Sequence, residues 1–184
     1  MEISDQDLIQ RCLSGRQDAF AALITRYQKL VFRVVTQMAG NTGEVDDLSQ
    51  EVFLRVYRSL GTYRSEYRFA TWLIKIATHV CFDSFRRRRP VALEPEDAAQ
   101  VSDPRPGPDV ALAESGDLDD LRRAVQELPE EYRAPLVLFH QQGLSYRELI
   151  EVLNEPESII KNRLYRARRM LREKLIPQKE AMPT

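Results

Sequence analysis

Cysteine is nearly absent: Cys12 and Cys81 are the only two, far apart in apolar contexts, with no CxxC to pair them. That pattern excludes a disulfide scaffold and points to buried free thiols in a reducing compartment. Histidine is equally scarce. His79 and His140 are the whole complement, His140 has no Cys, Asp or second His at ligand spacing, and no metal or other cofactor is expected. No apolar run approaches the roughly 20 residues that span a bilayer. The opening MEISDQDLIQ is acidic and lacks a signal-peptide pattern, so a cytoplasmic protein with no membrane insertion of its own is expected. Overall charge is missing too: the net is −1, and no long-range field draws the whole chain to nucleic acid.

What is there is helical periodicity. With 43% hydrophobic and 30% charged residues, the composition suits soluble domains with real cores. Ser4 caps a first expected helix that ends near Gly15. From about 17 to 39, Phe20, Leu23, Ile24, Tyr27, Leu30, Val31, Val34, Val35 and Met38 form one stripe stopped by Gly40. Further helices are expected at about 44–60, 69–88, 115–127, 129–141, 145–153 and 156–175, with Pro129 and Pro156 in first turns. Between them, residues 90–108 hold five prolines mixed with acids, a composition for a semi-extended tether. The reading is an all-α protein of two small helical domains, 1–90 and 115–176, joined by a flexible acidic, proline-rich linker at 91–114 and followed by a frayed tail at 177–184.

The C-terminal pair carries the clearest functional pattern. Leu144, Leu149, Ile150 and Leu153 give one short stripe, opened by Ser145 with Glu148 at capping-box spacing. The next helix buries Ile160, Leu164, Ala167 and Leu171, and turns Ser158, Lys161, Asn162, Tyr165, Arg166 and Arg169 away from that stripe. Residues 158–175 carry Lys161, Arg163, Arg166, Arg168, Arg169, Arg172 and Lys174 against Glu173 alone. An isolated charge run is usually a solvated face. Set on the second of two short amphipathic helices, it instead points to a helix-turn-helix whose second helix enters the major groove.

In the N-terminal half, EVDDLSQEVFLRVYRSL buries Leu48, Val52 and Val56 with Phe53, Tyr57 and Leu60 beside them. Leu54 is then a single apolar residue on a polar face, as where a partner helix docks. In the following helix Phe69, Trp72, Leu73, Ile76, Ala77 and Val80 form the core stripe, with Thr71, Lys75, Thr78, His79 and Arg86 on another face. Ahead of it, Tyr63, Arg64, Tyr67 and Arg68 alternate aromatic and basic side chains, suited either to local packing or to stacking unpaired bases and neutralising phosphates.

DDLSQEVFLRVYRSL, FATWLIKIATHVCFDSFRRRRP and LPEEYRAPLVLFHQQGLSYRELIEVLNEPESIIKNRLYRARRMLREKL together resemble the extracytoplasmic-function (ECF) group of bacterial sigma factors. The resemblance spans nearly the whole chain outside the linker and tail. It implies a subunit that binds core RNA polymerase, at the clamp coiled coil and the flap, and directs promoter-specific initiation. Docking on the clamp would fall to Asp47, Gln50, Glu51, Leu54 and Arg55. Recognition and melting of the −10 DNA would fall to Tyr63, Arg64, Tyr67, Arg68, Lys75, His79 and Arg86. The −35 element would be read by Ser158, Lys161, Asn162, Tyr165, Arg166 and Arg169. Promoter DNA and an anti-sigma factor are the other implied partners, and catalytic residues are not expected.

Three features depart from the family pattern: His79, the helix-turn-helix turn and His140. His79 stands where the family usually has Asn, a change of hydrogen-bonding pattern at the −10 pocket. In the turn, Asn154 replaces a glycine and is suited to positive φ. Glu157 in the first turn suits the helix dipole but repels a nearby phosphate, and Ile159 replaces a hydroxyl that could bond a phosphate or base, which alters the −35 contacts there. His140 is read as packing. The rival reading, an autonomous helix-turn-helix regulator, calls for a ligand-binding or dimerisation domain and leaves DDLSQEVF without a role. A nuclease-like enzyme using Asp46, Asp47 and Glu51 around a metal is weaker still, because adjacent aspartates on a helix point in different directions.

Overall fold

The computed structural model describes residues 3–40, 43–88 and 115–180, with side chains described for 118–175 in the last segment. Among the described residues eight α-helices follow in order: α1 (Asp5–Leu13), α2 (Gln17–Ala39), α3 (Val45–Ser59), α4 (Phe69–Arg88), α5 (Ser115–Gln126), α6 (Glu130–Leu136), α7 (Tyr146–Leu153) and α8 (Glu157–Glu180). A 3₁₀ turn at Leu60–Thr62 follows α3 and a π turn at Val137–Gln141 follows α6; there is no strand among the described residues. Two compact units result, one from α1–α4, the other from α5, α6, α8 and most of α7. The proline-rich linker and residues 181–184 lie outside the described residues.

In the first unit α2, α3 and α4 each pack on the other two, and α1 lies against α2. Ser4 accepts the Asp7 amide at 3.2 Å, the expected N-cap. Gly40 ends α2 at φ 81°, a conformation only glycine adopts freely. The α2 stripe is buried at Leu23, Val31, Val34, Val35 and Met38, and half-buried at Phe20, Ile24, Tyr27 and Leu30. Several side chains depart from their expected faces. Tyr57 is 57% exposed, its ring edge-on to Phe20 at 4.9 Å. Thr71 and Thr78, expected on a polar face, are buried. α4 is flanked by two helices and so buries a broad sector, including Ile74, Cys81 and Phe85, while Trp72 and Ile76 are only half-buried. Cys81 is buried as expected; Cys12 is half-buried, and burial pushes its thiol pKa up, away from reactivity.

In the second unit α8 packs on α5 and α6. Arg133 is 8% exposed and donates to the Gln126 carbonyl at 2.9 Å and its side-chain oxygen at 3.0 Å, capping the end of α5. The expected single helix at 129–141 is divided: Pro135 within α6 lacks the amide that would bond back one turn, and the ladder widens into the π turn, where the Gln142 amide reaches Val137 at 3.1 Å. Pro129 and Pro156 stand one residue earlier than expected, at N-cap positions, and α8 runs on through Glu180, past the expected start of a frayed tail.

Candidate nucleic-acid and polymerase interfaces

The turn before α8 is built from local sequence. The Ser145 hydroxyl and amide donate to Glu148 at 2.9 and 3.0 Å, and the Glu148 amide returns to Ser145 at 3.3 Å, a complete capping box. Asn154 adopts φ 53°, the left-handed value expected of it. The Pro156 carbonyl then accepts the Ile159 and Ile160 amides at 3.0 and 3.1 Å, starting α8. Ile160, Leu164, Ala167 and Leu171 are buried as the periodicity requires. In α7, Leu149, Val152 and Leu153 are buried while Ile150 is 37% exposed, so Val152 takes the place assigned to Ile150.

Of the six residues assigned to the −35 element, Ser158, Lys161, Tyr165 and Arg169 are exposed. Lys161 pairs with Glu157 at 3.0 Å and its ammonium lies 5.6 Å from the Tyr146 ring centre. Arg169 pairs with Glu173 at 3.2 Å. Both pairs are open to water and add little stability, so DNA can displace them at small cost. Asn162 and Arg166 do not point away as expected: both are half-buried, and Arg166 donates to the Tyr132 hydroxyl of α6 at 3.3 Å. That tether fixes the direction from which the guanidinium leaves α8. Glu155 pairs with Arg163 at 3.2 Å, and exposed His140 packs edge-on against Phe139 at 5.0 Å while Arg168 donates to its Nε2 at 3.1 Å.

On α3, Asp47, Gln50 and Leu54 are exposed, and Glu51 and Arg55 are half-buried. Leu54 is 52% exposed among these polar neighbours. Asp46 and Asp47 occupy the first turn, where the helix dipole favours negative charge. Arg55 is less available than its sequence position implies. It binds Glu51 at 2.8 Å and, across to α4, Asp83 at 2.6 Å, while Asp83 also pairs with Arg86 at 3.2 Å. The Arg55 guanidinium holds the Asp83 carboxyl below its ordinary pKa. Sequence reasoning missed Asp83; its spacing of three from Arg86, just ahead of the basic run, was the available signal.

Of the −10 set, Arg64, Arg68 and Arg86 are exposed, and Tyr63, Tyr67, Lys75 and His79 are half-buried. Tyr63 packs edge-on against Phe69 and Trp72 at 5.3 and 5.5 Å, and its hydroxyl donates to the Tyr67 carbonyl at 2.9 Å. The loop is therefore braced by its own aromatics, which leaves Arg64 and Arg68 at its rim. Tyr27 supports Phe69 from below at 5.2 Å, and its hydroxyl donates to Asp5 at 2.5 Å, linking α1 to this platform. His79 has its pKa lowered, first by burial and then by Lys75, with Arg86 and Arg55 also opposing its charge and Asp83 favouring it. It is a neutral imidazole at pH 7. No group of residues able to hold a metal occurs among the described residues.

Two units of this kind, one with a polar-faced helix and an arginine-rimmed loop, the other with a helix-turn-helix, define a sigma-70-type protein. The Sigma-70 region 2 family matches residues 23–91 and the Sigma-70, region 4 family matches 118–171. The chain is 30% identical to the ECF RNA polymerase sigma factor SigW of Bacillus subtilis over 184 residues, 95% of this chain and 98% of the relative. Among solved structures it is similar to CnrH in complex with the cytosolic domain of CnrY, with TM-score 0.66 and 24% identity over 94% of this chain and 97% of the other. A second is the sigma factor RpoE of Bartonella quintana in complex with the anti-sigma factor NepR, with TM-score 0.63 and 18% identity over 85% and 96%. The chain belongs to the ECF RNA polymerase sigma factors, which direct transcription initiation at specific promoters.

Proposed function

We propose that the chain divides its work among three surfaces. Asp47, Gln50, Glu51 and Leu54 on α3 dock on the clamp coiled coil of core polymerase, with Arg55 holding Glu51 and α4 in place. Arg64, Arg68, Lys75, His79 and Arg86 hold the −10 strand, with Tyr63 and Tyr67 bracing the loop. Ser158, Lys161, Asn162, Tyr165, Arg166 and Arg169 meet the −35 element, and the far side of that unit meets the flap. The observation that carries this reading is the order of region 2 and region 4 along one chain, each presenting an exposed polar or basic face.

The energetics follow from dividing the task. A few phosphate contacts give each unit only modest affinity at physiological salt. Mounting both on polymerase raises their effective concentration at one promoter. Melting then proceeds by capture, since contacts to an unstacked base offset the few kcal/mol needed to extract it. No covalent step falls to this chain, which is a DNA-binding specificity subunit and not an enzyme. Its place is the cytoplasm, with the polymerase; no helix among the described residues is long and apolar enough to cross a membrane. An anti-sigma factor, like the NepR seen with RpoE, would silence it by covering the polymerase-facing surfaces. The test is transcription in vitro by purified core polymerase on a promoter library. Addition of the chain should create discrete start sites that share −35 and −10 elements, and unaltered transcription would refute the proposal.

A further inference from the structure

A hollow between the end of α3 and the middle of α4 is lined by Arg55, Arg58, Ser59, Ile76 and His79. Its polar groups are not equally available. Arg55 is committed to Glu51 and Asp83, and the Ser59 hydroxyl donates to the Arg55 carbonyl at 2.7 Å. Arg58 is exposed, and neither it nor half-buried His79 makes a hydrogen bond or ion pair among the described residues. An unused guanidinium and an unused neutral imidazole thus line one hollow together with Ile76. The guanidinium supplies charge and the imidazole one N–H, a donor set for a singly charged anion with several acceptor oxygens.

We propose that this hollow seats a phosphodiester of the unpaired −10 strand, with Arg58 providing the charge and His79 a hydrogen bond. The inference rests on the −10 reading above and extends it to α3, where no −10 contact had been assigned. The same face of α4 carries Lys75, His79 and Arg86, a row about 16 Å long at 1.5 Å per residue. A row matches a polyanionic strand better than the single carboxylate of a protein partner. Asp83 is the acidic group near His79, and it is already neutralised by Arg55 and Arg86, so it does not repel a phosphate at the Arg58 end.

The test uses holoenzyme assembled from core polymerase and the full chain, binding a promoter fragment with an unpaired −10 strand across a salt series. Arg58→Ala should weaken binding by a similar factor on every −10 sequence and reduce the slope of log K against log salt by about 0.7, the single-strand value for one phosphate. Arg58→Lys should retain the slope. A neutral methylphosphonate moved along the −10 strand should, at one linkage, make wild type and Arg58→Ala bind alike. If Arg58→Ala leaves the slope unchanged while Arg64→Ala and Arg68→Ala lower it, the seat is refuted and the −10 reading stands. If none of the three lowers it, the −10 reading itself fails. If Arg58→Ala instead weakens assembly with core polymerase, the hollow receives a protein carboxylate and the inference is overturned.

Discussion

Leu54→Ala should separate docking from folding, because the structure gives the two roles different magnitudes. The side chain is 52% exposed in the free chain, so docking can bury at most about half of it. Full burial of a leucine is worth about 1.5–3 kcal/mol, so the clamp interaction gains about 1 kcal/mol, or about fivefold in Kd. The substitution leaves the helix backbone with an even better helix former. Stability should move by no more than about 0.5 kcal/mol, a shift of about 2–4 °C in Tm. Titration of labelled chain with core polymerase measures the first quantity, and thermal unfolding of the free chain the second. An unchanged Kd refutes the docking face. A fivefold loss accompanied by a Tm drop of about 10 °C or more would show that Leu54 acts through the fold.

Four further outcomes are expected. Leu149→Ala, at a fully buried position of α7, should cost about 2–5 kcal/mol and unfold the C-terminal unit at lower denaturant. Asn154→Ala should cost about 1–2 kcal/mol because its φ of 53° is left-handed, whereas Asn154→Gly should be nearly neutral in the same unfolding assay. His79 binds its proton more weakly in the folded chain than in the unfolded one, chiefly through burial. Stability should therefore fall as pH drops below 6.5 and level off below the depressed folded pKa; urea midpoints across that range should lose this slope in His79→Asn. Arg166→Ala should relax discrimination at one −35 position by about 1–3 kcal/mol, and an equal loss on all sequences in a binding assay would make it a phosphate contact.

Features governed by neighbours in sequence were legible in advance. The Ser145–Glu148 capping box and the left-handed Asn154 depend on a few adjacent residues, and both stand as expected. The buried stripe of α8 was equally plain, because Ile160, Leu164, Ala167 and Leu171 recur at helical spacing with polar residues between them. α4 was misread at Thr71 and Thr78 since it packs against both α2 and α3, where a single-stripe rule assumes one neighbour. The contacts of Arg55 and Arg166 were not legible because their partners, Asp83 and Tyr132, lie 28 and 34 residues away and meet them only in the fold. The division of α6 at Pro135 was visible as a proline but not as a π turn, since widening the ladder depends on how the segment packs.

The sharpest comparison is binding of one promoter fragment by the free chain, by core polymerase and by the two together, each measured against a fragment with scrambled −35 and −10 elements. The holoenzyme should prefer the promoter by at least about a thousandfold, while the free chain binds both fragments weakly and nearly alike. A free chain that selects the promoter as strongly as the holoenzyme would be an autonomous regulator and would contradict the division of work between α3, the −10 loop and α8.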